Sequence, residues 1–238
     1  DYYAIGIRHD NLGVKLTDET STDEDFGWSL DDPSFTDDAS LSGTQATTGL
    51  DFSPDGLSFI ISDEDTNEIV EFSLATAWDI TSTITETHAK GINSQQSVVT
   101  GVIWGDDGGY LYTVGVAEAF IVDRWTCSTD YDLSSCSSHD GQWEDGGHEG
   151  TVYDLEFNDD GTYFYILGNE RDKVHWYGLS TAWDLNTGYH YANSPNRLGE
   201  LEYASIYNTN MGGMHFKDDG TKLFLTGMGS AGASGYDN

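Results

Sequence analysis

The sequence predicts an all-β chain folded as a β-propeller, and three observations carry that prediction. An apolar strand closing on an aromatic residue and running into an Asp-Gly-type turn recurs four times, at residues 49–56, 101–108, 154–161 and 213–220. The closing aromatics Phe52, Trp104, Phe157 and Phe216 are spaced 52, 53 and 59 residues apart, near the period of kelch-like blades. Two of the repeats also end in nearly the same hexapeptide, Leu74-Ala75-Thr76-Ala77-Trp78-Asp79 and Leu179-Ser180-Thr181-Ala182-Trp183-Asp184. Units of about 50 residues with three or four strands cannot bury both faces alone, but they can when stacked around an axis. A β-sandwich would instead show strands every 8 to 12 residues without a long repeat.

The elements follow in order within each repeat. Asp caps its own backbone and Gly accepts positive φ, so each Asp-Gly pair marks a tight hairpin. A second strand follows each turn, at 57–61, 110–114, 163–167 and 222–226, and in three repeats it ends at Gly115, Gly168 or Gly227. Third strands are expected at 68–73, 119–125 and 173–177. Trp78 and Trp183 lie 22 residues beyond their turn glycines, and Tyr131 takes the place at 23. Near the start, residues 2–6 match 164–168, Trp28-Ser29-Leu30 matches Phe72-Ser73-Leu74, Phe35 falls near the Trp position, and 17–25 is an acidic insertion. The expectation is one propeller domain with repeats near 1–48, 49–100, 101–151, 152–211 and 212–238, hence at least five blades with incomplete terminal ones. Such ends imply either closure by mixed strands or flanking sequence beyond a fragment, and the initial Asp suits a mature form or a fragment.

Charge narrows the setting. Asp plus Glu number 42 against nine Lys plus Arg, a formal charge of -33. Nucleic acid is excluded as a partner, because binding it needs clustered basic groups that release counterions. Such self-repulsion strains a compact fold unless salt screens it, so hypersaline water is the expected medium. Seven Trp, fourteen Tyr and ten Phe supply too much apolar area for a disordered chain. No apolar run approaches the ~18 residues of a membrane span and none looks like a leader, so no membrane insertion is expected.

The pattern of Phe, acidic residue, Asp-Gly-Thr-Lys, short aliphatic strand and Gly, followed by Leu-Ser-Thr-Ala-Trp-Asp, resembles the β-propeller repeat of structural proteins of environmental viruses and related surface proteins. Residues 213–227 and 179–185 carry it best, while the repeat at Gly101 departs from it with Gly109 for Thr and Tyr131 for Trp. Joined to the charge, the resemblance implies a haloarchaeal virus. The expected role is a non-enzymatic spike or host-attachment protein on the virion surface or outside the cell. Its expected partners are a host cell-surface glycan or glycoprotein and other virion structural proteins. A secreted or cell-surface binding protein of a halophilic archaeon is the neighbouring reading.

Several residues are candidates for chemistry. Cys127 and Cys136 share one loop and suit a local disulfide in an oxidising exterior better than a metal or redox pair. His139, Glu144, Asp145 and His148 surround Trp143 in a Gly-rich stretch that also holds Asp140 and Glu149. The spacing there lacks a metal-site period, and Trp143 is the expected stacking platform for a receptor sugar. Acidic loops at 18–25, 31–38 and 63–68 could hold Ca2+, or Na+ and K+ loosely, through hard oxygen ligands, with no cofactor required. Asp51, Ile103, Glu156 and His215 occupy equivalent places on the innermost strands, and the three polar ones are expected to line the channel. Hydrolytic motifs are absent: no Gly-x-Ser-x-Gly elbow, phosphate loop or paired-His zinc motif occurs. An enzyme is therefore not expected, the alternative being a metal-dependent lactonase-like hydrolase with Asp51, Glu156 and His215 as ligands.

Overall fold

The structure is a computed structural model that describes residues 3–4, 41, 46–116, 122–144, 149–168, 173–187, 190–191, 194–195, 197–202, 209–217 and 220–229. Its described residues form the blades of a β-propeller. A short strand, β1 (Tyr3–Ala4), precedes a four-stranded antiparallel sheet of β2 (Thr47–Phe52), β3 (Ser58–Asp63), β4 (Glu68–Leu74) and β5 (Ile84–Gly91) in that spatial order. The second blade has the same up-and-down order in β6 (Val98–Gly105), β7 (Tyr110–Val116), β8 (Val122–Cys127) and β9 (Cys136–Trp143). The third begins with β10 (Val152–Phe157), β11 (Tyr163–Gly168) and β12 (Lys173–Gly178); a two-residue pair, β13 (His190–Tyr191) with β14 (Ser194–Pro195), precedes its outer strand β15 (Arg197–Glu202). In the last sheet β16 (Thr209–Phe216) pairs with β17 (Leu223–Gly229), and β1 adds to β17 in parallel, Tyr3 opposite Phe224.

The inner hairpin of every blade turns on a glycine at positive φ: 68° at Gly56, 87° at Gly108, 66° at Gly161 and 68° at Gly220. In the first and third turns the preceding acid fixes the loop, Asp55 accepting from the Leu57 amide at 2.9 Å and Asp160 from that of Thr162 at 3.0 Å. These residue types are what a tight hairpin demands. Farther along each of the first three repeats an aromatic folds back onto the glycine. The amides of Trp78 and Trp183 donate to the carbonyls of Gly56 and Gly161 at 2.9 Å, and that of Tyr131 to Gly108 at 3.3 Å.

Strand alternation sends successive side chains to opposite faces, so a sheet can pack against a neighbour on each face. Ile60 and Ile69 of the first blade share a core with Leu111 and Trp125 of the second. Tyr112 and Val114 meet Phe164, Ile166 and Tyr177 of the third. Leu167 and Val174 then meet Met214, Leu223 and Leu225. Polar clips accompany this packing: the Asn67 side chain donates to the Gln96 carbonyl at 2.7 Å and accepts from the Val99 amide at 2.8 Å, and the Thr100 hydroxyl donates to the Val152 carbonyl. Arg124, 6% exposed, crosses from the second blade to the third, donating to the Trp183 carbonyl at 2.9 Å and pairing with Asp184 and Asp140 at 3.1 Å. No helix is long and apolar enough to cross a membrane among the described residues.

Candidate active site at the inner strands

Asp51 and Glu156, equivalent in the repeat, act alike: each clamps the innermost strand of the following blade. Asp51 accepts from the Trp104 amide at 2.8 Å, and Glu156 accepts from the Phe216 amide at 2.9 Å. Ile103, which holds the same place in the second blade, has no carboxylate for this bond. Asp154 makes a third clamp, accepting from the Met214 amide at 2.6 Å and from the Leu155 amide at 2.9 Å. Burial pushes Asp51 up to about 6 and Asp154 up to about 7, against the opposing pull of those amides; the Glu156 charge adds to both shifts and His215 reduces them. Asp154 escaped the sequence reading, although it stands where the other three repeats have Gly49, Gly101 and Gly213.

His215 completes the group. Its Nδ1 lies 3.1 Å from Glu156 Oε1, and its side chain is 74% exposed against 18% for Glu156. A carboxylate can only accept, so a proton shared at this contact belongs to Nδ1, and in a neutral ring that tautomer keeps its lone pair on Nε2. The pair forms part of the wall of a cleft of about 460 Å3 between the third and last sheets, with Asn158, Tyr165, Phe216 and Lys217 among its lining. The Tyr165 and Phe216 rings approach to 4.5 Å, and burial raises the Tyr165 hydroxyl above its ordinary range. Of the expected channel residues, Glu156 and His215 are thus in contact, and Asp51 is engaged in its own clamp. Among the described residues no three His, Cys, Asp or Glu side chains converge as a metal site.

Of the residues expected in the receptor loop, three are described, and Trp143 among them is not exposed. Trp143 ends β9 and is 3% exposed, its ring 4.9 Å from Phe164 and 4.2 Å from Tyr177, so it is core between two blades and no stacking platform. His139 turns inward to Asp123, Nε2 to Oδ1 at 2.8 Å, and Glu144 is exposed. Glu149 is fully buried and lies 3.0 Å from Nε2 of the equally buried His175. Asp145 and His148 lie outside the described residues, as do the acidic loops 18–25 and 31–38. Asp63, the first residue of the third acidic loop, accepts from the amides of Asp65 and Thr66 at 3.0 and 3.1 Å and so shapes a turn. Cys127 and Cys136 form a disulfide across β8 and β9. Asp123 and His175 gave no sequence signal, because each is defined by a partner on another strand or loop.

No protein-family model and no curated protein matches the sequence. Among solved structures, the chain is similar to a candidate 6-phosphogluconolactonase from Bacteroides uniformis, with TM-score 0.49 and 14% identity over 75% of this chain and 46% of that one. It is similar to the periplasmic gluconolactonase of Pseudomonas aeruginosa, with TM-score 0.45 and 13% identity over 64% and 40%. The WD40 repeats of RRP9 match with TM-score 0.44 and 15% identity over 78% and 43%. The chain thus spans less than half the length of each of these propellers. The expectation of a non-enzymatic viral spike is corrected here. The similar propellers include proteins described as lactonases, and the aromatic meant for the receptor is buried in the core.

Proposed function

We propose that the chain carries a hydrolase site that opens a small hydroxylated ester or lactone by general acid–base chemistry at the His215–Glu156 pair. The observation that carries this reading is the 3.1 Å contact between His215 Nδ1 and Glu156 Oε1 on the wall of the cleft. Glu156 is itself held by the Phe216 amide, so the carboxylate orients the imidazole rather than following it. In the reaction, Nε2 of His215 takes a proton from water as its oxygen attacks the carbonyl carbon. The tetrahedral intermediate then expels the ring oxygen, which recovers that proton from Nε2, so lactone and water give the hydroxy acid. Lys217 on the cleft wall supplies positive charge toward the developing oxyanion. Lactones are the first class to test because two of the similar propellers are named as lactonases; the proposal itself stands on the pair. The full protein is read as at least five repeats of about 50 residues, of which residues 1–48 would be the first.

The test is a lactone panel in molar salt, headed by glucono-δ-lactone and simple γ- and δ-lactones, followed by pH-stat. Opening above the buffer rate, insensitive to chelator and reduced ~10²-fold or more in His215→Ala with an unchanged melting temperature, is the expected result. Activity that survives His215→Ala, or none on any lactone or ester, overturns it.

A further inference from the structure

The seam between the first and second blades holds a polar cluster that the clamps at the inner strands do not use. Thr113 of β7 and Asp123 of β8 are cross-strand partners, so their side chains share one face of the second sheet. It is the face of Leu111 and Trp125, which pack with Ile60 and Ile69 of the first blade. Gln96, in the connection between β5 and β6, reaches the same place. Its Nε2 donates to the Thr113 carbonyl at 3.2 Å, which fixes the orientation of the amide, and its Oε1 lies so close over Gly115 that an added Cβ would crowd it.

Thr113 and Asp123 are fully buried, and Gln96 is 1% exposed. Yet one oxygen of each, Thr113 Oγ1, Asp123 Oδ2 and Gln96 Oε1, has no hydrogen-bond partner among the described residues. Buried polar atoms are as a rule paired, so three such oxygens in one cluster call for a common occupant.

Charge decides which kind. Asp123 Oδ1 meets the His139 ring at 2.8 Å and the Gln142 amide at 3.0 Å, while Oδ2 meets neither. Neither basic side chain nearby answers it: Arg124 leaves on the opposite face toward Asp140 and Asp184, and Lys90 Nζ sits over the Trp125 ring, 5.6 Å from its centroid. A water molecule would satisfy the three oxygens and bring no charge. A cation does both, and a carboxylate, an amide carbonyl and a hydroxyl are the hard oxygen ligands such an ion takes. With a single carboxylate in the set, the ion is monovalent rather than calcium.

We infer that Asp123 Oδ2, Gln96 Oε1 and Thr113 Oγ1 bind an alkali cation, sodium or potassium, between the first two blades. Held there, the ion ties the β5–β6 connection, through Gln96, to the middle strands of the second blade, an effect of salt separate from the screening of the whole surface.

Melting in molar sodium, potassium or choline chloride tests this, because the three salts screen alike and a quaternary ammonium, clad in methyl groups, cannot be ligated by oxygen at contact distance. The wild-type chain is expected to melt about 5 °C lower in choline chloride than in either alkali chloride. Asp123→Asn closes that gap, and Thr113→Val, which keeps the side-chain shape, at least halves it. Equal melting of the wild type in all three salts overturns the inference and makes the occupant a water. A gap that both variants keep overturns it too, since the ion then acts elsewhere. If Asp123→Asn fails to fold, Thr113→Val decides alone: a narrowed gap supports the site, and an unchanged one overturns it.

Discussion

Trp183 sits on Gly161 so closely that a Cβ added to the glycine would overlap the indole ring, while the Trp183 amide donates to the Gly161 carbonyl at 2.9 Å. The contact ties the inner hairpin of the third blade to the segment after its third strand, and it recurs between Gly56 and Trp78 and between Gly108 and Tyr131. Gly161→Ala meets two penalties, a Cβ at φ 66° and an overlap with the ring. The expected loss is about 2–3 kcal/mol of unfolding free energy by denaturant titration, with Gly220→Ala, whose added Cβ would meet nothing within 4 Å among the described atoms, losing only the ~1 kcal/mol of the backbone term.

Arg124 ties the second blade to the third by two contacts, the Trp183 carbonyl and Asp184, and is itself held within the second blade by Asp140 and, through its face, by the Tyr110 ring at 4.8 Å. Arg124→Met keeps the stem but removes the charged donor, leaving the Trp183 carbonyl to the Tyr112 hydroxyl and Asp184 to Asn186. A loss of about 2 kcal/mol in thermal melts is expected, reduced from the buried-pair range because both carboxylates are about a third exposed. Arg124→Lys restores less than half, since an ammonium cannot serve the forked geometry.

The raised carboxyl of Asp154 makes stability fall with rising pH. Its pKa is about 7 folded against 3.8 as the ordinary value, so between these the folded state holds more protons than the unfolded one. The contribution is fully present below pH 4 and lost as pH rises through about 7. Wild type should lose on the order of 2 kcal/mol between pH 4 and 8 relative to Asp154→Asn, compared in molar salt by chemical denaturation.

Salt dependence follows from the charge of -33. Lowering salt from molar to ~0.1 M lengthens the screening distance from about 3 to about 10 Å. The melting temperature should drop by 10 °C or more, and potassium chloride should restore it as well as sodium chloride does. An unchanged melt would remove salt screening from the account of this fold.

The blades were legible because their marks are local. An Asp-Gly turn, a closing aromatic and a Leu-x-Thr-Ala-Trp-Asp segment each state their conformation within a few residues, and the hairpins at Gly56 and Gly161 follow directly. Asp51 and Glu156 were legible as inner-strand positions, yet their role as clamps on Trp104 and Phe216 was not, because the acceptor and amide are 53 and 60 residues apart. Trp143 was misplaced for the same reason. Glycines on either side suggested an open loop, while the strand it ends turns its ring between Phe164 and Tyr177.

The sequence by itself determined the repeat, the turn chemistry and the charge, all of which depend on neighbours along the chain. Tertiary structure decided which face each side chain takes and what it meets there. It set the Glu156–His215 pair at an open cleft, buried Glu149 against His175, and left Trp78 exposed where Trp183 is roofed. The physical reason is strand alternation: a step of one residue reverses the face, and the partner on that face comes from a distant blade that no local pattern names.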